Sequence, residues 1–233
     1  MLKINQLSCQ REQQLFNYQL DVAAGEVVAL LGASGSGKST LLELIAGFVP
    51  ATSGELIWQG ENILQQPIAQ RPVTSLFQQH NLFHHLTLAQ NIALGIAPSL
   101  KPSKNQQQQI SEVADSLGIA DLLQKRPDQV SGGQQQRAAL ARCLVRQQPI
   151  LLLDEPFSAL DPMLRLECLE LVKQLAEQWQ LAVLMVTHQW QDASRVAKRV
   201  AFIEQGKTQQ FAETDTLQNY PANSHIAHYL ACS

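Results

Sequence analysis

The spacing of hydrophobic positions changes character along this chain, and the changes mark its elements. The first part reads as short strands. Glu26 to Leu31 reads as a strand whose Val27 to Leu31 are unbroken apolar, the pattern of a strand buried on both faces. A glycine-rich segment follows directly. Leu41, Leu42, Leu44, Ile45 and Phe48 then recur at helical spacing and predict a helix that starts near Lys38. Pro50 and Ser53-Gly54 punctuate its exit, and Glu55 to Trp58 predicts a strand closed by a turn at Gly60.

The middle, from Leu82 to Gln148, has a helical pattern. Thr87-Leu88-Ala89-Gln90 has the form of a capping box. Ser103 can cap a second helix, whose Ile110, Val113, Ala114 and Leu117 keep one apolar face. Gln106 to Gln109 are expected on its solvated side. Ser131 to Gln134 opens a further helix, with Ala138, Ala141, Leu144 and Val145 turned to the core. The last third alternates again. Ile150 to Asp154 and Leu181 to Thr187 read as buried strands around a helix from Pro162 to Gln178. Val200 to Glu204 and Lys207 to Phe211 flank Gln205-Gly206 as a hairpin. Strands alternating with helices predict an α/β fold with a largely parallel sheet. No repeat and no long linker is visible.

Composition narrows this further. A chain of 233 residues is one large domain or two small ones, and 45% apolar content with both charge signs present is that of a globular protein. The formal net charge of -3 argues against a strong nonspecific grip on nucleic acid, which needs clustered Lys and Arg. The longest apolar runs, Val27 to Leu31 and Ile150 to Leu153, fall well short of the roughly 20 residues of a spanning helix. Met1 to Asn5 lacks the apolar core of a signal peptide. A cytosolic location is therefore expected, with any membrane role exercised by docking onto other subunits. Cys9, Cys143, Cys168 and Cys232 show no C-x-x-C spacing, so reduced thiols are expected in place of a zinc site or redox pair.

The chemistry starts in the glycine-rich segment. Gly32-Ala33-Ser34-Gly35-Ser36-Gly37-Lys38-Ser39, followed by Thr40, is a full G-x-x-x-x-G-K-[ST] phosphate loop, placed between a strand and a helix as that motif requires. Its glycines let main-chain N–H groups turn toward phosphate oxygens. Lys38 can neutralise the β- and γ-phosphates, and the Ser39 hydroxyl can ligate Mg²⁺. Asp154 ends an apolar strand and Glu155 follows at once. Adjacent acids there can divide the labour, one organising the metal and the other polarising the attacking water. A pair of solvated loop acids is the alternative.

Gln78, Ser131-Gly132-Gly133-Gln134, Ser158-Ala159-Leu160-Asp161 and His188 follow in a fixed order. Together with the phosphate loop they resemble the motor subunit of an ATP-binding cassette (ABC) transporter. Val130 stands where that family's signature usually has Leu. The resemblance covers nearly the whole chain. Continuous runs such as Arg71-Pro72-Val73, Ala139 to Arg146 and Pro156 to Pro162 are most similar to the ATPases of bacterial thiamine importers. It implies a phosphate-loop NTPase core with an N-terminal antiparallel β subdomain and an inserted helical subdomain. The whole chain, 1–233, would be one ATPase domain: 1–81 and 149–233 the core with its β subdomain, 82–148 the helical part bearing the signature.

The resemblance also implies roles. Ser131, Gly132, Gly133 and Gln134 would bind the γ-phosphate of ATP held by the opposite subunit of a head-to-tail homodimer. His188 would contact the γ-phosphate, and Asp161 would belong to the family's D-loop. Gln78 would sense Mg²⁺ and the water and connect them to transmembrane permease subunits. A periplasmic thiamine-binding protein would deliver the substrate, with the ATPase on the cytoplasmic face of the bacterial inner membrane. The short stretch after His188 leaves no room for the C-terminal regulatory barrel of many sugar and ion importer ATPases. Importers of ferric ion, sulfate, molybdate or polyamine fit the same motifs. A soluble ABC protein acting on ribosomes or DNA fits less well, for want of a second cassette, a heptad run and a basic face. A phosphate-loop kinase leaves Ser131 to Gln134 and His188 unexplained.

One position departs from the family, which usually places an aromatic residue ahead of the phosphate loop to stack on adenine. That place falls near Arg11, and the first aromatics are Phe16 and Tyr18. A guanidinium can lie flat on a base, so Arg11 is the base-side candidate, a surface arginine being the alternative. His80 and His84 would share a helix face and, with His85, suggest metal or contacts to the transmembrane partner. His225 and His228 are expected to be solvated on a C-terminal helix.

Overall fold

The computed structural model describes residues 1–11, 13–77 and 82–232. Its elements in chain order are strands β1 (Leu2–Arg11), β2 (Gln14–Val22) and β3 (Glu26–Leu31), helix α1 (Lys38–Ala46), and strands β4 (Ser53–Trp58), β5 (Glu61–Asn62) and β6 (Val73–Leu76). Helices α2 (Leu88–Ala93), α3 (Lys104–Ser116) and α4 (Gly132–Leu144) follow. Then come β7 (Ile150–Asp154), α5 (Pro162–Trp179), β8 (Ala182–Val186), α6 (Trp190–Val196), β9 (Arg199–Glu204), β10 (Lys207–Glu213), α7 (Thr214–Asn219) and α8 (Ser224–Cys232).

The strands form one ten-stranded sheet in the order β5-β4-β1-β2-β10-β9-β3-β8-β7-β6. From β9 to β6 every neighbouring pair is parallel. At the other end β1, β2, β4 and β5 pair antiparallel. A single parallel pair, Lys207 with Asn17, links the two halves through β10 and β2. Past Glu26 the β3 run is apolar because both its faces are covered. Val27, Ala29 and Leu31 enter one core, while Val28 and Leu30 enter the other, as the two-residue period of a strand demands. The first core holds α2 to α8. The second holds α1, wedged between the parallel strands and the antiparallel arm.

The local predictions can be followed residue by residue. Capping boxes form at Thr87–Gln90, Ser103–Gln106 and Ser131–Gln134. Several expectations are corrected. The strand predicted from Glu55 begins at Ser53, so Ser53-Gly54 lies inside it. As expected, the turn at Gly60 closes β4, and it joins that strand to a short partner, β5. Phe48 lies beyond α1 and is 54% exposed, because the helix stops at Gly47. Gln106 is no part of a solvated face, since its amide donates to the Ile96 carbonyl. His84 and His85 sit in a turn ahead of α2, not on a helix, and His80 lies outside the described residues. His225 is exposed, as expected, and its Nδ1 also lies 2.6 Å from Glu204 Oε1. Among the described residues no helix is long and apolar enough to cross a membrane. Cys9, Cys143 and Cys168 are buried free thiols, and Cys232 is an exposed one.

Candidate active site

The phosphate loop leaves β3 at Gly32 and enters α1 at Lys38. Two of its glycines are required by what they touch. A Cβ on Gly32 would fall 2.0 Å from the Ile203 carbonyl oxygen of β9. Gly37 has a φ of 107°, and a Cβ there would meet the Tyr18 hydroxyl at 2.8 Å and the Phe16 ring at 2.9 Å. Tyr18 is fully buried and donates to the Gly37 carbonyl at 2.7 Å. Burial pushes its phenol well above the ordinary value. Strand β2 therefore props the loop from beneath. Phe16 and Tyr18 are both buried in that support.

Lys38 is folded into its own loop. Its Nζ donates to the carbonyls of Gly32 and Ala33, both at 2.8 Å, and lies 3.4 Å from Ser36 Oγ. Burial pulls its pKa down, and the Glu155 and Asp154 carboxylates push it back up. A buried ammonium held by main-chain carbonyls can exchange them for phosphate oxygens, which make stronger charge-assisted bonds.

Asp154 closes β7. Burial raises its pKa, a hydrogen bond with Ser39 lowers it, and the adjacent Glu155 raises it again. The Ser39 hydroxyl and the Asp154 carboxylate are thus two hard oxygen donors in contact, a set that suits Mg²⁺. Glu155 has a φ of 46°. Left-handed backbone in a residue with a side chain costs about 1–3 kcal/mol and collects at functional sites. The Glu155 N–H donates to the Val186 carbonyl at 3.2 Å, and its Oε2 lies 3.6 Å from His188 Nδ1.

A buried network holds the His188 segment. Thr187 Oγ1 accepts from the Gln189 N–H at 3.1 Å and donates to Asp192 Oδ2 at 3.1 Å. The same carboxylate oxygen takes Arg165 Nε at 3.0 Å and Nη2 at 2.5 Å. Arg165 lies one turn into α5, the helix that Asp161 caps by accepting from the N–H groups of Met163 and Leu164, both at 3.1 Å. Asp161 therefore has a structural task alongside any role at a nucleotide.

The fold brings Lys38, Ser39, Asp154, Glu155 and His188 together. Ser131 to Gln134 form a separate group at the start of α4. Gln134 N–H donates to Ser131 Oγ at 3.3 Å, and Ser131 N–H donates to Gln134 Oε1 at 3.0 Å. Gly132 and Gly133 lie against Leu160 and Leu164, whose side chains a Cβ would meet at 3.7 and 3.3 Å. Among the described residues the hydrogen bonds of this group stay within α4. Buried Gln136, two residues on, donates its amide to the Pro156 carbonyl beside Glu155, while its Oε1 has no partner. Arg11 sits at the end of β1, half exposed, with Nη1 at 2.6 Å from Glu43 Oε2 and 3.4 Å from Thr40 Oγ1. Gln78 lies outside the described residues.

The sequence reading did not find Thr187, Arg165, Asp192 or Gln136, or the supporting role of Tyr18. Their only sequence signal is a polar residue at a position that turns out buried.

Residues 15–158 match the family model described as ABC transporter. Over 233 residues the chain is 47% identical to the thiamine import ATP-binding protein ThiQ of Vibrio cholerae serotype O1, covering 100% of this chain and 98% of that protein. The chain belongs to the ABC transporter family. A second relative of the same name, from Photorhabdus laumondii subsp. laumondii, is 51% identical over 217 residues, covering 93% of this chain and 92% of its own. The ABC fold is also found in solved structures. An ATP-binding cassette of an ABC transporter in its ADP conformation superposes with a TM-score of 0.89 at 19% identity, covering 98% of both chains. A nucleotide-free cassette superposes at 0.90 with 17% identity and 98% of both chains. Family membership sets aside the phosphate-loop kinase.

Proposed function

We propose that this chain is the ATP-hydrolysing subunit of a bacterial importer for thiamine and its phosphates. The observation that supports hydrolysis most is the convergence of Lys38, Ser39, Asp154, Glu155 and His188 at the mouth of a glycine-bound loop. The choice of thiamine rests on the relatives at 47% and 51% identity. In this reading Gly32 to Thr40 cradle the triphosphate. Lys38 leaves the Gly32 and Ala33 carbonyls for the β- and γ-phosphates. Ser39 and Asp154 hold Mg²⁺, with Gln78 completing the set. When bound, the ion neutralises charge on the phosphate oxygens. Glu155 orients the attacking water and takes its proton, and His188 faces the γ-phosphate from across Glu155. Arg11, beside Thr40 at the hairpin end, is the base-side platform.

Two copies pair head to tail, so that Ser131 to Gln134 and Asp161 of each complete the site of the other. Nucleotide-driven closure is passed through Gln78 to permease subunits on the cytoplasmic face of the inner membrane. A periplasmic thiamine-binding protein supplies the substrate. Residues 1–81 and 149–233 act as the core and 82–148 as the signature-bearing arm.

Uptake of labelled thiamine should fall to background when the gene is deleted and return with wild type but not with Lys38→Ala. Unchanged thiamine uptake, with loss of another solute, would reassign the substrate. The pairing has its own check. Ser131→Arg should block closure, and mixing it with Lys38→Ala should give a heterodimer with one doubly damaged and one intact interface. Partial ATPase activity in the mixture is expected, and none at all would count against head-to-tail pairing.

A further inference from the structure

The C-terminal helix α8 reaches back to the active site. Its Ile226 is fully buried, His225 pairs with Glu204, and the Tyr229 ring stands edge-on to Phe202 at 5.2 Å between centroids. That packing delivers one hydroxyl between two loops. Tyr229 Oη lies 3.0 Å from the His188 carbonyl and 3.2 Å from the Gly32 carbonyl. Gly32 opens the phosphate loop, and His188 sits on the short link between β8 and α6. The phenol has one proton to donate, which the two carbonyls share or take in turn.

His188 needs such a hold. Its side chain is 49% exposed, and its contact with Glu155 is a loose 3.6 Å. The position of the imidazole is therefore set by its main chain. On the N-terminal side that main chain is fixed by Thr187, whose hydroxyl is locked to Asp192 and whose N–H donates to the Leu30 carbonyl at 3.2 Å. On the C-terminal side the His188 carbonyl accepts from Tyr229, forty-one residues away along the chain.

We propose that Tyr229 is a positioning residue for His188, which makes α8 a strap that registers the His188 loop against the phosphate loop. The proposal rests on the role given above to His188. It also gives the C-terminal segment a task in hydrolysis, although none of the nucleotide motifs lies there.

The test uses the full chain assembled with its permease and measures kcat and KM for ATP, with thermal unfolding alongside. Tyr229→Phe keeps the ring on Phe202 and removes only the hydroxyl. It is expected to lower kcat roughly 3- to 10-fold, the worth of one neutral hydrogen bond lost from a positioned group, with KM and Tm unchanged. Tyr229→Leu should lower Tm as well, because the ring contact goes. His188→Ala runs beside them as the check on the role of His188 itself. A rise in KM at constant kcat for Tyr229→Phe would place the hydroxyl's effect at the phosphate loop and overturn the proposal. So would a fall in Tm that accounts for the lost turnover, or wild-type kcat in Tyr229→Phe while His188→Ala is inactive. Wild-type turnover in His188→Ala would overturn the assignment of His188 and this inference with it.

Discussion

Glu155→Gln is expected to cut ATP turnover by about 10²-fold or more while leaving ATP binding intact, the loss that follows when a positioned general base is removed. The amide keeps the shape of the carboxylate, so the backbone around it has no reason to move. The φ of 46° at this residue is sustained by the main chain, through the N–H bond to the Val186 carbonyl and the Ser158 contacts to the Glu155 carbonyl. The groups proposed to bind the triphosphate and its metal, Lys38, Ser39 and Asp154, are untouched. With hydrolysis stopped after closure, an ATP-bound dimer should accumulate. Size-exclusion chromatography in ATP and Mg²⁺ would show it, and a steady-state assay would show the lost rate. Turnover near the wild-type value would remove Glu155 from the base role and leave the cluster without an identified proton acceptor.

The second large effect is on stability. Arg71 is only 7% exposed, and its acceptors are main-chain carbonyls: Leu44 and Ile45 at 2.8 Å, Leu64 at 2.6 Å and Gln66 at 3.2 Å. The first two belong to the last turn of α1, where Leu44 also accepts from the Gly47 N–H at 3.2 Å, and the negative dipole end there favours a cation. Burial pulls the guanidinium below its usual pKa, so the site tolerates the charge because the carbonyls surround it. Arg71→Met fills much of the volume but removes the cation that all four carbonyls share, leaving Leu44 with only the Gly47 N–H. A loss of about 3 kcal/mol or more is expected, which for a chain of this size lowers Tm by roughly 6–12 °C. Lysine should recover little, since a compact ammonium cannot span four carbonyls. Chemical denaturation of the nucleotide-free protein measures this, and a loss below about 1 kcal/mol would refute the account. Because α1 begins at Lys38, the same variant should weaken nucleotide binding in proportion to the loosening of its helix.

How far the active site was legible follows from the range over which each feature is encoded. The phosphate loop, the helix starts at Lys38, Ser103 and Ser131, the acids closing β7 and the hairpin around Gln205-Gly206 were all readable. Each depends on backbone geometry and hydrogen bonds within a few residues, so side-chain type and spacing carry the information. The order of the motifs then carried the family. Phe48 and Gln106 were misread because their surroundings depend on where a helix ends and on what lies across from it. The shared helix face expected for His80 and His84 fails for the same reason, since His84 lies in a turn ahead of α2, and the Glu204 partner of exposed His225 is likewise set by the fold.

The sequence by itself determined which chemistry this protein is equipped for: a phosphate cradle, a lysine, paired acids and a histidine in a series that belongs to ABC transporters. The tertiary structure alone decided how those groups are held. Tyr18 under Gly37, Arg71 on the end of α1, Asp192 between Arg165 and Thr187, and Tyr229 between Gly32 and His188 join residues that are remote in the chain or on different elements. Such contacts arise only when the sheet brings separate loops to one edge. No local period or motif marks the polar residues that will meet there, because their partners are chosen by chain topology and not by their neighbours in sequence.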